Sequence, residues 1–266
     1  MKKRIIGAIL VVAIFIPFLI IGKMPFAIFM AALSVSSLYE LLKVRESQKK
    51  FPRILKLVAY VLTLTFCLYN VDSIEFQYNF DYRVMTFLIF VFLSPIVFIN
   101  VSKKYNFDDA LFLVGSVLFL GLSYNLIIIT RNYDITHIIY LLLITTLTDT
   151  FALVFGSLIG KNKLAPKISP KKTVEGLLGG VFMGTFGATA FYITVINPNI
   201  SLVLLIVITG ILCLVGQLGD LVFSSIKRYY QIKDFSDIIP GHGGILDRFD
   251  SLIFVTLAFI ILIGIL

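Results

Sequence analysis

The chain has 266 residues, of which 59% are hydrophobic and 14% charged, and it carries a formal net charge of +8. A soluble domain is nearer half apolar and a quarter charged. Here the excess falls in runs of about 20 residues, enough to cross a ~30 Å hydrocarbon core as helix. This composition excludes a soluble globular chain, and the lack of alternating ten-residue strands excludes an outer-membrane barrel.

In chain order the apolar runs are 5–22, 25–42, 54–71, 84–101, 110–129, 138–159, 177–196, 202–224 and 251–266. Most have no polar face, as expected of helices surrounded by lipid. The fold class is therefore an all-α integral membrane protein with about nine transmembrane helices. The first run follows Met1-Lys2-Lys3-Arg4 but is longer than a signal h-region and lacks a small-residue cleavage site, so it is read as an uncleaved span. Cys67 and Cys213 sit inside apolar runs and are read as small buried hydrophobes rather than metal ligands or a disulfide.

With a cytoplasmic amino terminus, the inward segments hold 20 of the 23 Lys and Arg residues, and Lys23, Arg83 and Arg131 remain outside. Basic loops facing anionic lipid account for the net charge without nucleic acid. The chain reads as one polytopic unit, residues 1–136 forming helices 1 to 5 and residues 137–266 helices 6 to 9. The second part includes two long cytoplasmic loops, 160–176 and 225–250, rich in Gly, Pro, Lys and Asp. These loops put the candidate site at the cytoplasmic membrane face, with the inner membrane as location.

Asp149 lies inside the sixth run, among threonines and roughly 15 Å from its inner end at helical rise. A carboxylate at that depth costs at least ~2.5 kcal/mol, so it should face the bundle interior beside a partner. It lines a polar cavity or serves helix packing. Gln217, Asp220, Ser224 and Lys227 are spaced i, i+3, i+7 and i+10 and share one helical face. Such a stripe is the wall of a site or a helix end reaching for water.

The glycines of Pro240-Gly241-His242-Gly243-Gly244 permit close backbone approach to a phosphate. Asp247 and Asp250 follow at i, i+3 on the last helix. Carboxylates are the usual protein ligands of Mg²⁺, and Lys227, Arg228 and Arg248 supply phosphate-binding charge. Together these groups suggest a Mg²⁺–nucleotide polyphosphate site. The lysines of loop 160–176, among them Lys161, Lys171 and Lys172, either hold the loop on anionic lipid or cradle a phosphate. Composition does not separate the two.

The stretch Ser224-Ser225-Ile226-Lys227-Arg228, then Lys233-Asp234, Ser236, Pro240, His242-Gly243-Gly244, Asp247-Arg248 and Asp250 resembles the signature of the bacterial phosphatidate cytidylyltransferases, the CDP-diacylglycerol synthase family. Asp149-Thr150, Gly156, Gly160-Lys161 and the segment from Ser169-Pro170-Lys171-Lys172 to Thr173-Val174-Glu175-Gly176 resemble it too. One departure lies in the packing around Asp149, where the family has a smaller residue than Phe151 and an aromatic near Leu153. The likeness covers about residues 145–251, whereas the first five runs match only in hydropathy.

The resemblance implies that CTP and phosphatidate give CDP-diacylglycerol and pyrophosphate with Mg²⁺, and K⁺ as a second cation. Metal would sit on Asp220 and Asp247, with Asp250 supporting and Asp149 the next candidate. Lys227, Arg228 and Arg248 would neutralise phosphates, Lys161, Lys171 and Lys172 would contact substrate, and Ser224 would touch metal or substrate. His242, beside Gly243 and Gly244, either positions a phosphate oxygen or shapes the turn. Membrane lipid is the second partner; lipid enzymes of this kind can form a homodimer, although no motif marks an interface. A CTP-dependent polyprenol or phytol kinase and an ion-coupled transporter are the competing readings.

Overall fold

Each of the nine apolar runs overlaps a helix among the residues that the computed structural model describes, which are 2–69, 71, 82–99, 104–196, 200–239, 241 and 243–263. The helices are α1 (Lys2–Ile21), α2 (Lys23–Glu46), α3 (Arg53–Cys67), α4 (Tyr82–Leu93), α5 (Pro95–Ile99), α6 (Phe107–Tyr133), α7 (Ile135–Leu158), α8 (Val174–Phe191), α9 (Leu202–Tyr229) and α10 (Leu246–Leu262). A π-helical turn, Tyr192–Ile196, continues α8. Among the described residues five of these, α2, α6, α7, α8 with its π turn, and α9, are long and apolar enough to cross a membrane.

The fourth run is broken, unlike its prediction as one span. Pro95 has no N–H to donate and disfavours helix at Ser94, so α4 and α5 separate there. A second difference lies in the predicted loop 160–176, which holds an antiparallel hairpin of β1 (Lys163–Ala165) and β2 (Ser169–Thr173). Hydropathy could not reveal it, because its strands are too short and polar to alternate.

The chain divides into two compact units. The first comprises residues 1–132 and 235–245. Its helices bury Leu38, Phe66 and Leu120, and Ser37 and Tyr124 share a 2.6 Å hydrogen bond inside that core. Asn125 donates to the carbonyls of Cys67 and Tyr69, and so satisfies the carboxy-terminal end of α3. Asp109, almost fully buried, receives Arg45 at 3.1 Å and also pairs with Lys49.

The second unit comprises residues 133–234 and 246–266. Gly176, Gly180 and Gly184 form an i, i+4, i+8 stripe on α8 that lies against α7. A Cβ on Gly176 would come within 2.6 Å of the Ala152 carbonyl, and one on Gly180 within 2.6 Å of the Thr148 carbonyl. Small residues let two membrane helices approach where no hydrophobic gain drives them together. Gly216 and Gly219 do the same for α9 against α10, beneath Val255 and Phe254. Thr173 caps α8 by accepting from the Gly176 N–H, and Glu175 accepts from the backbones of Lys161 and Asn162. These contacts seat the hairpin at the head of α8.

Candidate active site

A pocket of about 430 Å³ with charged side chains in its wall opens in the second unit, lined by Asp149, Gly156, Lys171, Lys172, Gln217 and Asp220 among others. Its walls follow from the glycine contacts, which bring α7 and α8 together and leave the polar face of α9 turned to the hairpin. The predicted stripe is realised as a bonded chain. Lys172 Nζ lies 2.6 Å from Asp220 Oδ2 and donates to Gln217 Oε1 at 2.9 Å. Gln217 Nε2 donates to Asp149 Oδ1 at 2.5 Å, and Ser224 Oγ donates to Asp220 Oδ1 at 3.2 Å.

Asp149 therefore has the partner its depth demands, but it lines an open pocket and is not sealed into a packed interface. Lys172 and Arg248 bring positive charge within reach of it, and Asp220 negative charge. Phe151, the departure from the family pattern, lies against Phe155 on the same helix, with ring centroids 6.5 Å apart.

Lys227, at the end of the stripe, turns to α10 and donates to Asp247 Oδ1 at 2.6 Å; both side chains are nearly buried. Asp247 also stands in the first turn of α10, where the helix dipole favours a carboxylate. Asp250 accepts from the Ser251 N–H at 2.7 Å. It precedes the last apolar run, and burial, then the Asp220 carboxylate, push its carboxyl up to about 7.

The remaining expected site residues are spread over the hairpin, the end of α9 and the glycine turn. Arg228, assigned to phosphate, donates to the carbonyls of Ile168 and Ile232, and so fastens the hairpin turn to the end of α9. Lys161 is exposed beside Glu175, while Lys171 is exposed on the pocket wall. Gly243 and Gly244 belong to the first unit, and His242 lies outside the described residues. Gly243 has φ +82°, and its carbonyl accepts from Ile239, closing a tight turn. Gly244 meets Glu40, a fully buried carboxylate of α2 that accepts from Ser236 Oγ at 2.5 Å and from the Ile245 N–H at 2.8 Å. Glu40 went unnoticed in the sequence, although a lone carboxylate inside the run 25–42 was the available signal.

Asp220 and Asp247 are the carboxylates expected to hold metal, with Asp250 in support; among the described residues no group of three or more His, Cys, Asp and Glu gathers around one point. Asp220 and Asp247 are each compensated by a lysine at 2.6 Å. Their chemistry still suits Mg²⁺, which takes one or two carboxylates and completes its shell with water and substrate phosphate.

The cytidylyltransferase family model matches residues 2–266. The chain is 36% identical over 262 residues to a phosphatidate cytidylyltransferase of Bacillus subtilis (strain 168), covering 96% of this chain and 94% of that protein. It is 38% identical over 256 residues to proteins of the same name from Staphylococcus saprophyticus and Staphylococcus aureus (strain COL), covering 96% of each chain. Fold, pocket and relatives together define a multi-pass membrane enzyme of the nucleotidyltransferase class. The chain belongs to the cytidylyltransferase family.

Proposed function

We propose that the chain transfers CMP from CTP to phosphatidate, giving CDP-diacylglycerol and pyrophosphate for phospholipid synthesis. The observation that carries this reading is the pocket in which Lys172 of the hairpin joins Asp149, Gln217 and Asp220, which stand on helices long enough to cross a membrane, into one bonded chain. It is supported by identity to proteins named phosphatidate cytidylyltransferase across 96% of the chain.

A non-bridging oxygen of the lipid phosphate attacks the α-phosphorus of CTP. The new P–O bond forms as the bond to the β-phosphate oxygen breaks, and its electron pair leaves with pyrophosphate. A phosphomonoester has its second pKa near ~6 and is largely dianionic at neutral pH, so no strong general base is needed. Positioning and charge neutralisation supply most of the catalysis. Lys172 and Lys171 meet phosphate from the hairpin, Arg248 and Lys227 add charge from α10 and α9, and Ser224 orients Asp220. Asp220 and Asp247 would hold Mg²⁺, with Asp250 in support, and K⁺ would be the second cation. Bound Mg²⁺ supplies neutralisation of the phosphate oxygens.

The proposed topology is nine spans in the inner membrane, amino terminus and pocket on the cytoplasmic side, where CTP meets a lipid from the bilayer. The test is incubation of detergent-purified protein with phosphatidate, Mg²⁺ and CTP labelled at the α- or γ-phosphate. α-Label entering lipid, with γ-label leaving as pyrophosphate, is the expected result. γ-Label entering a polyprenol or phytol would establish the kinase instead. If no label moves, flux in proteoliposomes would test transport.

A further inference from the structure

The first unit contains a buried carboxyl to which the proposed reaction gives no role. Glu40 stands fully buried on α2, a helix long and apolar enough to cross a membrane. Such a group inside a span is costly unless donors compensate it. Glu40 Oε1 accepts from Ser236 Oγ at 2.5 Å and from the Ile245 N–H at 2.8 Å.

Those two donors are the two ends of one loop. Phe235, Ser236 and Ile245 are buried, whereas Asp237, Ile238 and Gly241 between them are exposed. Ser236 Oγ also accepts from the Ile238 N–H at 3.3 Å, and the Ile239 N–H donates to the Gly243 carbonyl at 2.9 Å. Glu40 thus pins the entry and the exit of the loop to a single atom, and bonds inside the loop shape what lies between. Gly244 completes the fit: a Cβ there would lie 2.5 Å from a Glu40 oxygen, so a larger residue would displace the carboxyl.

The exit of the loop is also the approach to α10. Ile245 immediately precedes that helix, and Asp247 stands in its first turn. With a single residue between Ile245 and Asp247, a displacement of the one passes to the backbone of the other instead of being absorbed by slack chain.

We propose that Glu40 is a positioning residue for the reaction: by clamping the loop 236–245 it sets the place of Asp247, which would hold Mg²⁺. The inference rests on the proposed function and assigns to it a residue about two hundred positions from Asp247 in the chain. Glu40 acts through the backbone and not by contact with substrate. Groups that orient a metal's ligands typically govern its affinity by about ten- to a hundred-fold.

The test is a titration of the full-length protein in detergent with Mn²⁺, followed by EPR, beside cytidylyl transfer from CTP to phosphatidate at saturating Mg²⁺. Glu40→Ala should weaken Mn²⁺ binding about ten-fold in the folded protein and lower kcat/KM by a similar factor. Glu40→Gln keeps an oxygen able to accept both bonds and should restore most of each loss. Asn125→Ala, which removes two hydrogen bonds elsewhere in the same unit, should lower the unfolding midpoint and leave Mn²⁺ affinity alone. Glu40→Ala protein that binds Mn²⁺ and turns over like the wild type overturns the inference, and so does an equal loss of affinity in Asn125→Ala. A wild type that transfers cytidylyl groups without binding Mn²⁺ removes the metal from Asp247 and the inference with it. The expected Mn²⁺ pattern in a protein that transfers no cytidylyl group would overturn the reaction and leave the positioning role standing.

Discussion

Lys172 stands 2.6 Å from Asp220 and 2.9 Å from the amide oxygen of Gln217, so one ammonium on the hairpin ties two polar residues of α9. Replacing that ammonium separates charge from geometry. Lys172→Met should lower kcat/KM by roughly ten- to a hundred-fold, within the range of a lost electrostatic contact. Lys172→Arg should restore only part of it, because a planar guanidinium does not reproduce a compact ammonium. Steady-state kinetics against both CTP and phosphatidate would check this.

Asp220→Asn keeps the shape of the side chain and removes its charge. Turnover should fall by roughly a hundred-fold or more, while thermal unfolding in detergent shifts by only a few degrees. A folded variant with near-normal turnover would contradict the metal role proposed for Asp220.

Asp149 and Gln217 share a 2.5 Å hydrogen bond on the pocket wall. Asp149→Ala should reduce activity even with a detergent-solubilised short-chain substrate, since the loss lies in the pocket and not in lipid access. Unchanged kinetics would favour a packing role.

Lys227 and Asp247 are a nearly buried pair, with side chains 11% and 3% exposed. Lys227→Met removes the ammonium from a buried carboxylate and should cost about 3–5 kcal/mol. Adding Asp247→Leu should recover much of that stability but no activity. Denaturation midpoints of the single and double variants would show the difference.

Glu40 accepts from Ser236 and from the Ile245 backbone inside the first unit. Glu40→Ala orphans both donors and should destabilise that unit by about 1–3 kcal/mol. Gly244→Ala should act similarly, because its Cβ would lie 2.5 Å from a Glu40 oxygen. Faster limited proteolysis within 235–245 would report either change.

Much of this was legible without coordinates. Helix positions followed from run length, because a backbone in lipid must satisfy its own hydrogen bonds. The stripe Gln217, Asp220, Ser224 and Lys227 followed from the helical period alone. The hairpin was illegible: its strands run three and five residues, and the contacts holding them come from Glu175 and Arg228. Glu40 was visible as a type, but its partners lie about two hundred residues away in the chain.

The sequence by itself determined a helical membrane chain, the basic and acidic residues available for phosphate chemistry, and the family resemblance. Those depend on composition and local period, which every segment carries alone. Only the tertiary structure decided which carboxylate meets which lysine, and that Arg228 fastens backbone. Such pairings depend on how closely helices approach. That distance is set by glycines such as Gly180 and Gly219 meeting a particular neighbour, which no single segment specifies.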